Sequence, residues 1–232
     1  MRGQVHSVQS LSTVDGPGVR AVVFLNGCRM RCVYCHNPDT WDVHGGTSRE
    51  AAEVFAQIKR FQPYFGEKGG LTVSGGEPLL QADFVRELFI LCKERGIHTC
   101  LDTAGSVGGS AVESLLDVCD LCLLDIKFTD PESYRRYTGG DLAATLAFLR
   151  LTREKNIPVI TRHVIVPGLT DTPDYIASIK ALLADCPNVQ RCDLLPFRKL
   201  CADKYRQLHI PFPLENTPEA SDSAIAALTA LL

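Results

Sequence analysis

Three cysteines within eight residues constrain this chain more than any other feature of its sequence. Cys28, Cys32 and Cys35 form the cysteine loop, residues 28–35. Their spacing directs three thiolates at one metal centre and provides no fourth ligand, whereas structural zinc sites and ordinary iron–sulfur clusters take four. His36 directly follows Cys35, and neighbouring side chains reach one tetrahedral ion only with a contorted backbone. The loop therefore predicts a cluster with one position free for a reacting ligand, with a zinc knuckle or a redox pair as the alternative.

The composition fits a single enzyme domain. The 232 residues are 45% hydrophobic and 22% charged, enough for one substantial core but not for two, so we expect one domain over 1–232. The net charge of -3 provides no basic surface for nucleic acid, and no apolar run approaches the roughly 20 residues of a membrane helix. The first residues lack the apolar core of a signal peptide, and ten irregularly spaced cysteines favour a reducing compartment. We therefore expect a soluble, cytoplasmic protein.

Short β-rich runs alternate with helical patterns, which indicates repeated βα units around a parallel sheet. Six strands are predicted, at 20–26, 70–74, 97–102, 121–126, 160–166 and 191–196. Helices are predicted at 48–62, 80–95, 110–118, 131–155 with a break at Gly139-Gly140, 172–185 and 218–231, with an irregular stretch at 196–217. Because there are six units instead of eight, the predicted fold is an α/β incomplete (β/α)6 barrel with parallel strands, open on one side. Sites in such folds lie at the carboxyl ends of the strands.

The segments around the cysteine loop resemble the radical S-adenosylmethionine (radical SAM) enzymes, which have a partial TIM barrel. In that family a C-x3-C-x2-C loop follows the first strand, as it does here after residues 20–26, and a GGE motif follows the second, as Gly75-Gly76-Glu77 does here. The resemblance narrows to the pyruvate formate-lyase activating enzymes and covers nearly the whole chain. The motifs that carry it are TVDGPGVR (13–20), YCHN (34–37), DTWD (39–42), HGG (44–46), LDT (101–103), LDIK (124–127) and VPG (166–168).

The resemblance implies two cofactors, a [4Fe-4S] cluster and S-adenosylmethionine. The three cysteines of the loop would hold the cluster, and Gly75-Gly76-Glu77, whose glycines allow close approach, would meet the amino group of S-adenosylmethionine. Further cofactor contacts are expected from Tyr34, His36, Asp125, Ile126, Lys127 and Arg198. Tyr34 places an aromatic ring where an adenine can stack, and Lys127 can pair with a carboxylate or with ribose oxygens. At Arg198 the chain departs from the family, which usually shows a histidine there.

Hard oxygen atoms lie on two adjacent predicted strand ends, at Asp102, Thr103 and Asp125. The resemblance implies a monovalent cation here, Na⁺ or K⁺, which bridges to the carboxylate of S-adenosylmethionine. The backbone carbonyl of Leu123 would be a further ligand. On the residues alone, an aspartate at a strand end is as often a helix cap, so both interpretations stay open.

The resemblance also implies a protein substrate, pyruvate formate-lyase, in which a 5'-deoxyadenosyl radical takes a hydrogen atom from a glycine under anaerobic conditions. Asp15, in the turn 14–18, and Arg162, near the end of a strand, are expected to contact the glycine loop of this partner. Arg29 and Arg31 are expected to steer an acidic electron donor, a flavodoxin or a ferredoxin. We expect the protein to be a monomer.

Two alternative functions remain open at the level of sequence. The chain could activate another glycyl radical enzyme, although no second cysteine group lies between Cys35 and Ser74 to indicate a ferredoxin-like insert. It could also be a non-catalytic iron–sulfur or zinc module, in which case a fourth ligand should complete the centre. Outside the loop, Cys119 and Cys122 have the spacing of a redox pair. They run into a strand and not into a helix amino terminus, so we interpret them as structural thiols.

Overall fold

The computed structural model describes residues 1–232 and contains one eight-stranded sheet covered by helices. The strands are β1 (Arg2–Ser12), β2 (Arg20–Leu25), β3 (Thr47–Glu50), β4 (Gly70–Gly75), β5 (His98–Thr103), β6 (Leu121–Asp125), β7 (Val159–Ile165) and β8 (Val189–Pro196). The helices are α1 (Ala51–Ile58), α2 (Ala82–Lys93), α3 (Ser110–Leu116), α4 (Pro131–Thr138), α5 (Leu142–Glu154), α6 (Pro173–Leu183), α7 (Ala202–Gln207) and α8 (Asp222–Thr229). Short 3-10 helices lie at Pro38–Thr40, Lys59–Tyr64 and Pro78–Gln81.

The sheet has the order β3-β1-β2-β4-β5-β6-β7-β8 and does not close into a complete barrel. From β2 to β8, neighbouring strands in this order are parallel. The predicted incomplete (β/α)6 barrel is therefore confirmed, and all six predicted strands form. They could be recognised because parallel strands are covered on both faces and consist mainly of apolar residues. The single domain over 1–232 stays a prediction, which limited proteolysis can test.

Two strands and one α-helix were not predicted, and neither was the 3-10 helix at Pro38–Thr40. β1 and β3 extend the sheet at one edge, where β1 is antiparallel to both of its neighbours. Along β1 only Gly3, Val5 and Ser12 are buried, so the strand lacks the apolar alternation that marks a half-buried strand. The α-helix that was not predicted, α7, lies in the stretch that was predicted to be irregular, and it is a short helix of six residues, half of them charged.

The helices cover the outer face of the sheet, and the inner face surrounds the interior of the barrel. Side chains alternate between these faces, so on β7 Arg162 points inward and its neighbour His163 points outward. At the amino end of the sheet the interior is filled by Arg20, whose fully buried guanidinium donates to Thr72 Oγ1 at 2.6 Å and to the Leu71 carbonyl at 2.7 Å. Arg20 therefore fills the interior at the amino end of the sheet.

The break predicted at Gly139-Gly140 separates α4 from α5. Gly139 ends α4 in the left-handed conformation, with a φ of 67°, which glycine adopts without strain. Asp130 begins α4 by accepting a hydrogen bond from the backbone N–H of Ser133 at 2.8 Å. None of the helices in the structure combines the length and the apolar character needed to cross a membrane.

Candidate active site

A cavity of about 270 Å³ lies at the carboxyl ends of the parallel strands. Most of the site residues predicted from the sequence line it: Asp15, Cys28, Cys32, Tyr34, Cys35, His36, Gly75, Gly76, Glu77, Asp102, Thr103, Asp125, Lys127 and Arg162. The structure therefore brings together residues that are spread over nearly 150 positions of the chain. They meet because the carboxyl ends of parallel strands share one edge of the sheet.

Three predicted site residues do not place their side chains in this cavity. Ile126 is fully buried in the main hydrophobic core. Leu123 packs below the cavity in a small apolar cluster, so only its backbone could serve as the predicted cation ligand. The Arg198 guanidinium points away, donating to the Ala220 carbonyl and to Asp222 Oδ1. Arg198 reaches the site only through its backbone carbonyl, 3.0 Å from Nε2 of His36.

The cysteine loop is held by backbone hydrogen bonds to two other segments. The N–H groups of Arg31 and Val33 donate to the carbonyls of Thr138 and Tyr137 at the end of α4, at 2.7 and 2.9 Å. The N–H of Gly27, just before the loop, donates to the Thr40 carbonyl at 2.7 Å. These bonds present all three thiols to the cavity from a fixed backbone.

The donor set of the loop fits an iron–sulfur cluster. Cys28, Cys32 and Cys35 are free thiols, and burial raises their pKa values, to about 11 for Cys28 and about 12 for Cys32. They are therefore protonated at neutral pH unless a metal stabilises the thiolates. Three thiolates from one short loop are a donor set that suits an iron–sulfur cluster, whereas a closed structural zinc site takes four protein ligands.

Gly75 and Gly76 are required by close contacts with neighbouring backbone. A Cβ atom on Gly75 would lie 2.3 Å from the Leu25 nitrogen, and one on Gly76 would lie 2.3 Å from the Gly27 carbonyl oxygen. Gly75 also has a φ of +115°, which other residues rarely adopt. The sequence argument explained this pair by the approach of a ligand. The structure adds that the turn packs directly against β2 and the segment that leads into the cysteine loop.

Glu77 connects the loop after β4 to the loop after β5. Its buried carboxylate accepts hydrogen bonds from Thr103 Oγ1 at 2.5 Å, from the N–H of Ala104 at 3.1 Å, from Ser106 Oγ at 3.1 Å and from the N–H of Leu79 at 3.2 Å. Burial raises the pKa of Glu77, and these hydrogen bonds oppose that shift. Because its oxygens already accept these hydrogen bonds, the carboxylate holds the two loops together in the lining of the cavity.

A charged network spans the ends of β4 to β7. The Arg162 guanidinium lies between two carboxylates, paired with Asp102 and, at 2.7 Å, with Asp125. Lys127 donates to Asp125 at 2.6 Å, and Ser74 Oγ donates to Asp102 at 2.8 Å. Two carboxylates and two cationic side chains therefore balance within a largely buried cluster.

The charged network includes side chains that were predicted to bind a monovalent cation. Burial raises the pKa of Asp102 to about 6, whereas the charges of Arg162 and Lys127 outweigh burial at Asp125 and hold the pKa of that carboxyl below its usual range. The third predicted side-chain ligand, Thr103, donates its hydroxyl to Glu77. Each of the three side chains thus has a protein partner, and Arg162 supplies a positive charge between the two aspartates. The monovalent cation stays a prediction.

The two residues predicted to contact a protein partner differ in their freedom to do so. Asp15 lies at the cavity in the turn before β2, where its carboxylate accepts from Ser12 Oγ and its backbone carbonyl accepts from Thr72 Oγ1. Ser12 bonds to Oδ2 of Asp15, and Oδ1 has no hydrogen-bond partner in the structure. Arg162, by contrast, is held by both aspartates through Nε and Nη2, which leaves Nη1 as the guanidinium nitrogen that can donate to a partner.

Sequence reasoning missed the residues of α7 that support the cavity. Lys204 Nζ donates to Asn37 Oδ1 at 2.9 Å and to Asp39 Oδ1 at 3.0 Å, and Tyr205 packs edge-on against Trp41 with ring centroids 6.0 Å apart. Asn37 itself lines the cavity. The short sequence of α7 has no hydrophobic periodicity that would predict a helix. Its contact partners Asn37, Asp39 and Trp41 lie in the YCHN and DTWD motifs, so the sequence analysis identified only that half of the contact.

Comparisons with known proteins identify the family of this chain. The Radical SAM superfamily profile matches residues 22–178. The chain is 40% identical over 233 residues to a pyruvate formate-lyase-activating enzyme of Listeria monocytogenes, covering 97% of this chain and 94% of that protein. It is 44% identical over 221 residues to the enzyme of the same name from Clostridium pasteurianum, covering 95% and 92%.

A solved structure supports the fold independently. The radical SAM methyltransferase from Sphaerobacter thermophilus superposes with a TM-score of 0.62 at 14% identity, covering 99% of this chain and 74% of that chain. At this identity the likeness concerns the fold alone. The profile match and the two relatives go further, and they show that this chain is a radical SAM enzyme that belongs to the family of pyruvate formate-lyase-activating enzymes.

Proposed function

We propose that this enzyme activates pyruvate formate-lyase under anaerobic conditions by generating a glycyl radical in it. The observation that carries the proposal is the cavity in which the three cysteines, the Gly-Gly-Glu turn and the charged strand ends meet. The family implies a [4Fe-4S] cluster and S-adenosylmethionine. When bound, they supply a reductive cleavage that gives methionine and a 5'-deoxyadenosyl radical, which takes a hydrogen atom from a glycine. Relatives named for this activation match nearly the whole chain.

The cysteine loop binds the cluster and keeps one coordination position open. Cys28, Cys32 and Cys35 provide three thiolates from a backbone that is pinned to α4. His36, the next residue after Cys35, is turned toward the Arg198 carbonyl. The protein would thus supply three ligands to the cluster and leave room beside it for the methionine portion of S-adenosylmethionine.

The Gly75-Gly76 turn orients the amino group of that methionine portion. The N–H of Gly76 donates to the Leu25 carbonyl and the N–H of Glu77 donates to the Gly27 carbonyl, both at 2.8 Å. With these donors in use, the turn offers carbonyl oxygens, which are the acceptors that an amino group needs. Lys127, whose ammonium lies 6.0 Å from the centre of the Tyr34 ring, offers a positive charge to carboxylate or ribose oxygens.

The open side of the sheet admits the protein substrate. A glycine in an extended loop can cross the strand ends near Asp15, whose carboxylate is able to accept a backbone N–H. Within the cavity the protein holds one C–H bond of this glycine in reach of the radical and excludes water. Arg162 holds the carboxylates of Asp102 and Asp125 in place through its ion pairs.

A labelled substrate tests the proposal. Pyruvate formate-lyase deuterated at the Cα of its glycines is incubated anaerobically with the cluster-loaded enzyme, S-adenosylmethionine and a reductant. We expect deuterium in the 5'-deoxyadenosine, because the hydrogen moves directly, and a glycine-centred electron spin resonance signal in the partner. Unlabelled lyase is the control.

Two outcomes would contradict the proposal in different ways. If label and signal appear only with another glycyl radical enzyme, the radical chemistry stands and the partner is wrong. If the protein binds iron or zinc but never cleaves S-adenosylmethionine, it is a non-catalytic metal module.

The electron donor is proposed to dock beside the cysteine loop. Arg29, Arg31, Arg135 and Arg136 are exposed there, and none of them is paired with a carboxylate. A cavity of about 360 Å³ lies between the loop and the end of α4. This unpaired basic surface complements an acidic flavodoxin or ferredoxin. Changing Arg29 and Arg135 together to Gln should slow reduction by flavodoxin but not by dithionite, and Arg60→Gln, which lies elsewhere, should change neither rate.

A further inference from the structure

Two further thiols, those of Cys119 and Cys122, lie close together at the opposite end of the sheet from the cysteine loop. Cys119 precedes β6 and Cys122 is the second residue of that strand. Their Sγ atoms are 3.9 Å apart. A disulfide bond has a sulfur–sulfur length of about 2.0 Å, so the sulfurs need to approach by only about 2 Å to bond. The sequence analysis interpreted these residues as structural thiols and did not anticipate this contact.

The two thiols differ in their access to solvent. Cys119 is 8% exposed and lines an open cavity of about 390 Å³, whose other lining residues include Asp117, Asp120 and Lys155. Cys122 is fully buried in the main core. A small reagent that enters this cavity therefore reaches Cys119 first and reaches Cys122 only through it.

The surroundings also set the order of reaction and the choice of partner. The contact with Cys119 and burial raise the pKa of Cys122, so its thiol is not the one that initiates an exchange. The remaining nearby thiol, Cys100, is buried on the inner face of the sheet with Leu121 and Leu123. Cys122 points to the outer face, because side chains alternate along β6. Cys100 is therefore separated from it by the sheet.

We propose that Cys119 and Cys122 form a redox dithiol that is converted to an intramolecular disulfide by low-molecular-weight disulfides. The Cys119 thiolate attacks one sulfur of the small disulfide, which forms a mixed disulfide and releases one small thiolate. The Cys122 thiolate then attacks the Cys119 sulfur and releases the second. The two protein thiols lose two electrons, the small disulfide is reduced to two thiols, and the two protons pass to the released thiolates.

The test uses the cluster-loaded protein under anaerobic conditions, where the cysteine loop is occupied. Oxidised glutathione is added, free thiols are alkylated, and the protein is cut before aspartate. Asp117 and Asp125 lie on either side of the pair and Asp120 lies between the two cysteines. Cys119 and Cys122 therefore fall on separate fragments, 117–119 and 120–124. We expect these two fragments to be linked, with a mass two hydrogens below their sum, and to separate after treatment with dithiothreitol.

Single variants test the order of the two steps. Cys122→Ser should accumulate one glutathione on Cys119, whereas Cys119→Ser should leave Cys122 free to be alkylated. Cys100→Ser should form the linked fragments as the unchanged protein does. Alkylation of both Cys119 and Cys122 in the treated protein, or a link from either of them to Cys100, would overturn the proposal. The fragment assignment in the unchanged chain decides the question even if a variant folds poorly.

Discussion

Individual polar residues around the cavity fall into two groups, according to whether their hydrogen bonds are already made within the protein. The three thiols of the cysteine loop are largely buried, which raises their pKa values, so they depend on a metal to become charged. Glu77 and Arg162, in contrast, have their partners within the fold. The first group is available for binding, and the second determines where the binding groups lie. Single substitutions should separate these roles.

Removal of any one thiol of the loop should abolish cluster assembly. Each of Cys28, Cys32 and Cys35 is expected to hold one iron, so Ala at any of the three should leave an unstable cluster, whereas the unchanged protein should contain about four irons. Iron and sulfide analysis of anaerobically reconstituted protein measures this. Cys186→Ser, which changes a half-buried thiol far from the loop, is the control. An unchanged iron content in Cys32→Ala, or zinc in place of iron, would show that the loop holds a different centre.

Glu77→Gln should destabilise the fold by about 2 kcal/mol. An amide nitrogen would face one backbone N–H, of Leu79 or Ala104, and a buried unsatisfied donor costs about 1–3 kcal/mol. Ser106→Ala removes only one of the four hydrogen bonds to Glu77 and should cost about 1 kcal/mol. Urea denaturation of both variants in the metal-free state gives the comparison. Equal stability of Glu77→Gln and the unchanged protein would mean that the carboxylate does not hold the two loops together.

The secondary structure was predictable wherever burial imposes a pattern. The six parallel strands are covered on both faces, and their apolar runs gave bounds within two residues of those observed. β1 lies at the edge with most side chains exposed, and α7 owes its place to Lys204 and Tyr205, which contact residues far away in the sequence. No local pattern records such contacts. For the same reason, the motifs predicted which residues meet at the cavity but not the pairing of Arg162 with two aspartates.

The charged network gives a test of the cation at the level of adjacent strand ends. Asp125→Asn removes one carboxylate shared by Arg162 and Lys127. If a cation also binds here, the affinity for S-adenosylmethionine should rise with added K⁺ or Na⁺ in the unchanged protein and lose that dependence in the variant. Iron content should not change in either. Titrations of S-adenosylmethionine in potassium, sodium and choline salts measure this. Affinities that are equal in all three salts would leave the ion pairs as the only role of these carboxylates.

The packing of β7 against α6 buries a histidine that should make stability depend on pH. His163 is fully buried, neither ring nitrogen has a hydrogen-bond partner, and its ring lies 6.3 Å from that of Tyr175. Burial lowers the pKa of His163 to about 4, although the Asp125 charge opposes this shift. The unfolded chain therefore binds a proton between pH 6.5 and pH 4 that the folded chain does not. The contribution of the neutral His163 to the free energy of unfolding is fully present above pH 6.5 and is lost as the pH drops through this window.

We expect the free energy of unfolding to fall by about 2 kcal/mol more between pH 7 and pH 5 in the unchanged protein than in His163→Leu. Leucine fills a similar volume and does not titrate, so the difference between the two proteins isolates this residue from the other groups that titrate in the same range. Urea denaturation at each pH provides the data. Parallel pH profiles for the two proteins would show that the buried ring is protonated or hydrated in the folded state.

Across the whole molecule, the C-terminal part of the chain folds back over the segment that follows the cysteine loop. Lys204 donates to Asn37 and Asp39, and the Arg198 carbonyl meets His36, so contacts join residues more than 160 positions apart. Asp39 is also 3.2 Å from His6 of β1. Both ends of the chain therefore converge on the 3-10 helix that begins at Pro38. The position of the cysteine loop therefore depends on distant parts of the chain as well as on the hydrogen bonds within the loop.

Lys204→Met should therefore loosen the cluster although Lys204 is not one of its ligands. The substitution keeps the length of the side chain but removes its bonds to Asn37 and Asp39. A partly exposed ion pair contributes up to about 1 kcal/mol, so we expect release of iron to a chelator to be faster by up to about fivefold. Lys199→Met is the matched control, because Lys199 Nζ donates to the Glu215 carbonyl and does not reach the loop. Equal rates of iron release from the two variants would show that the contact of Lys204 with Asn37 and Asp39 does not restrain the cysteine loop.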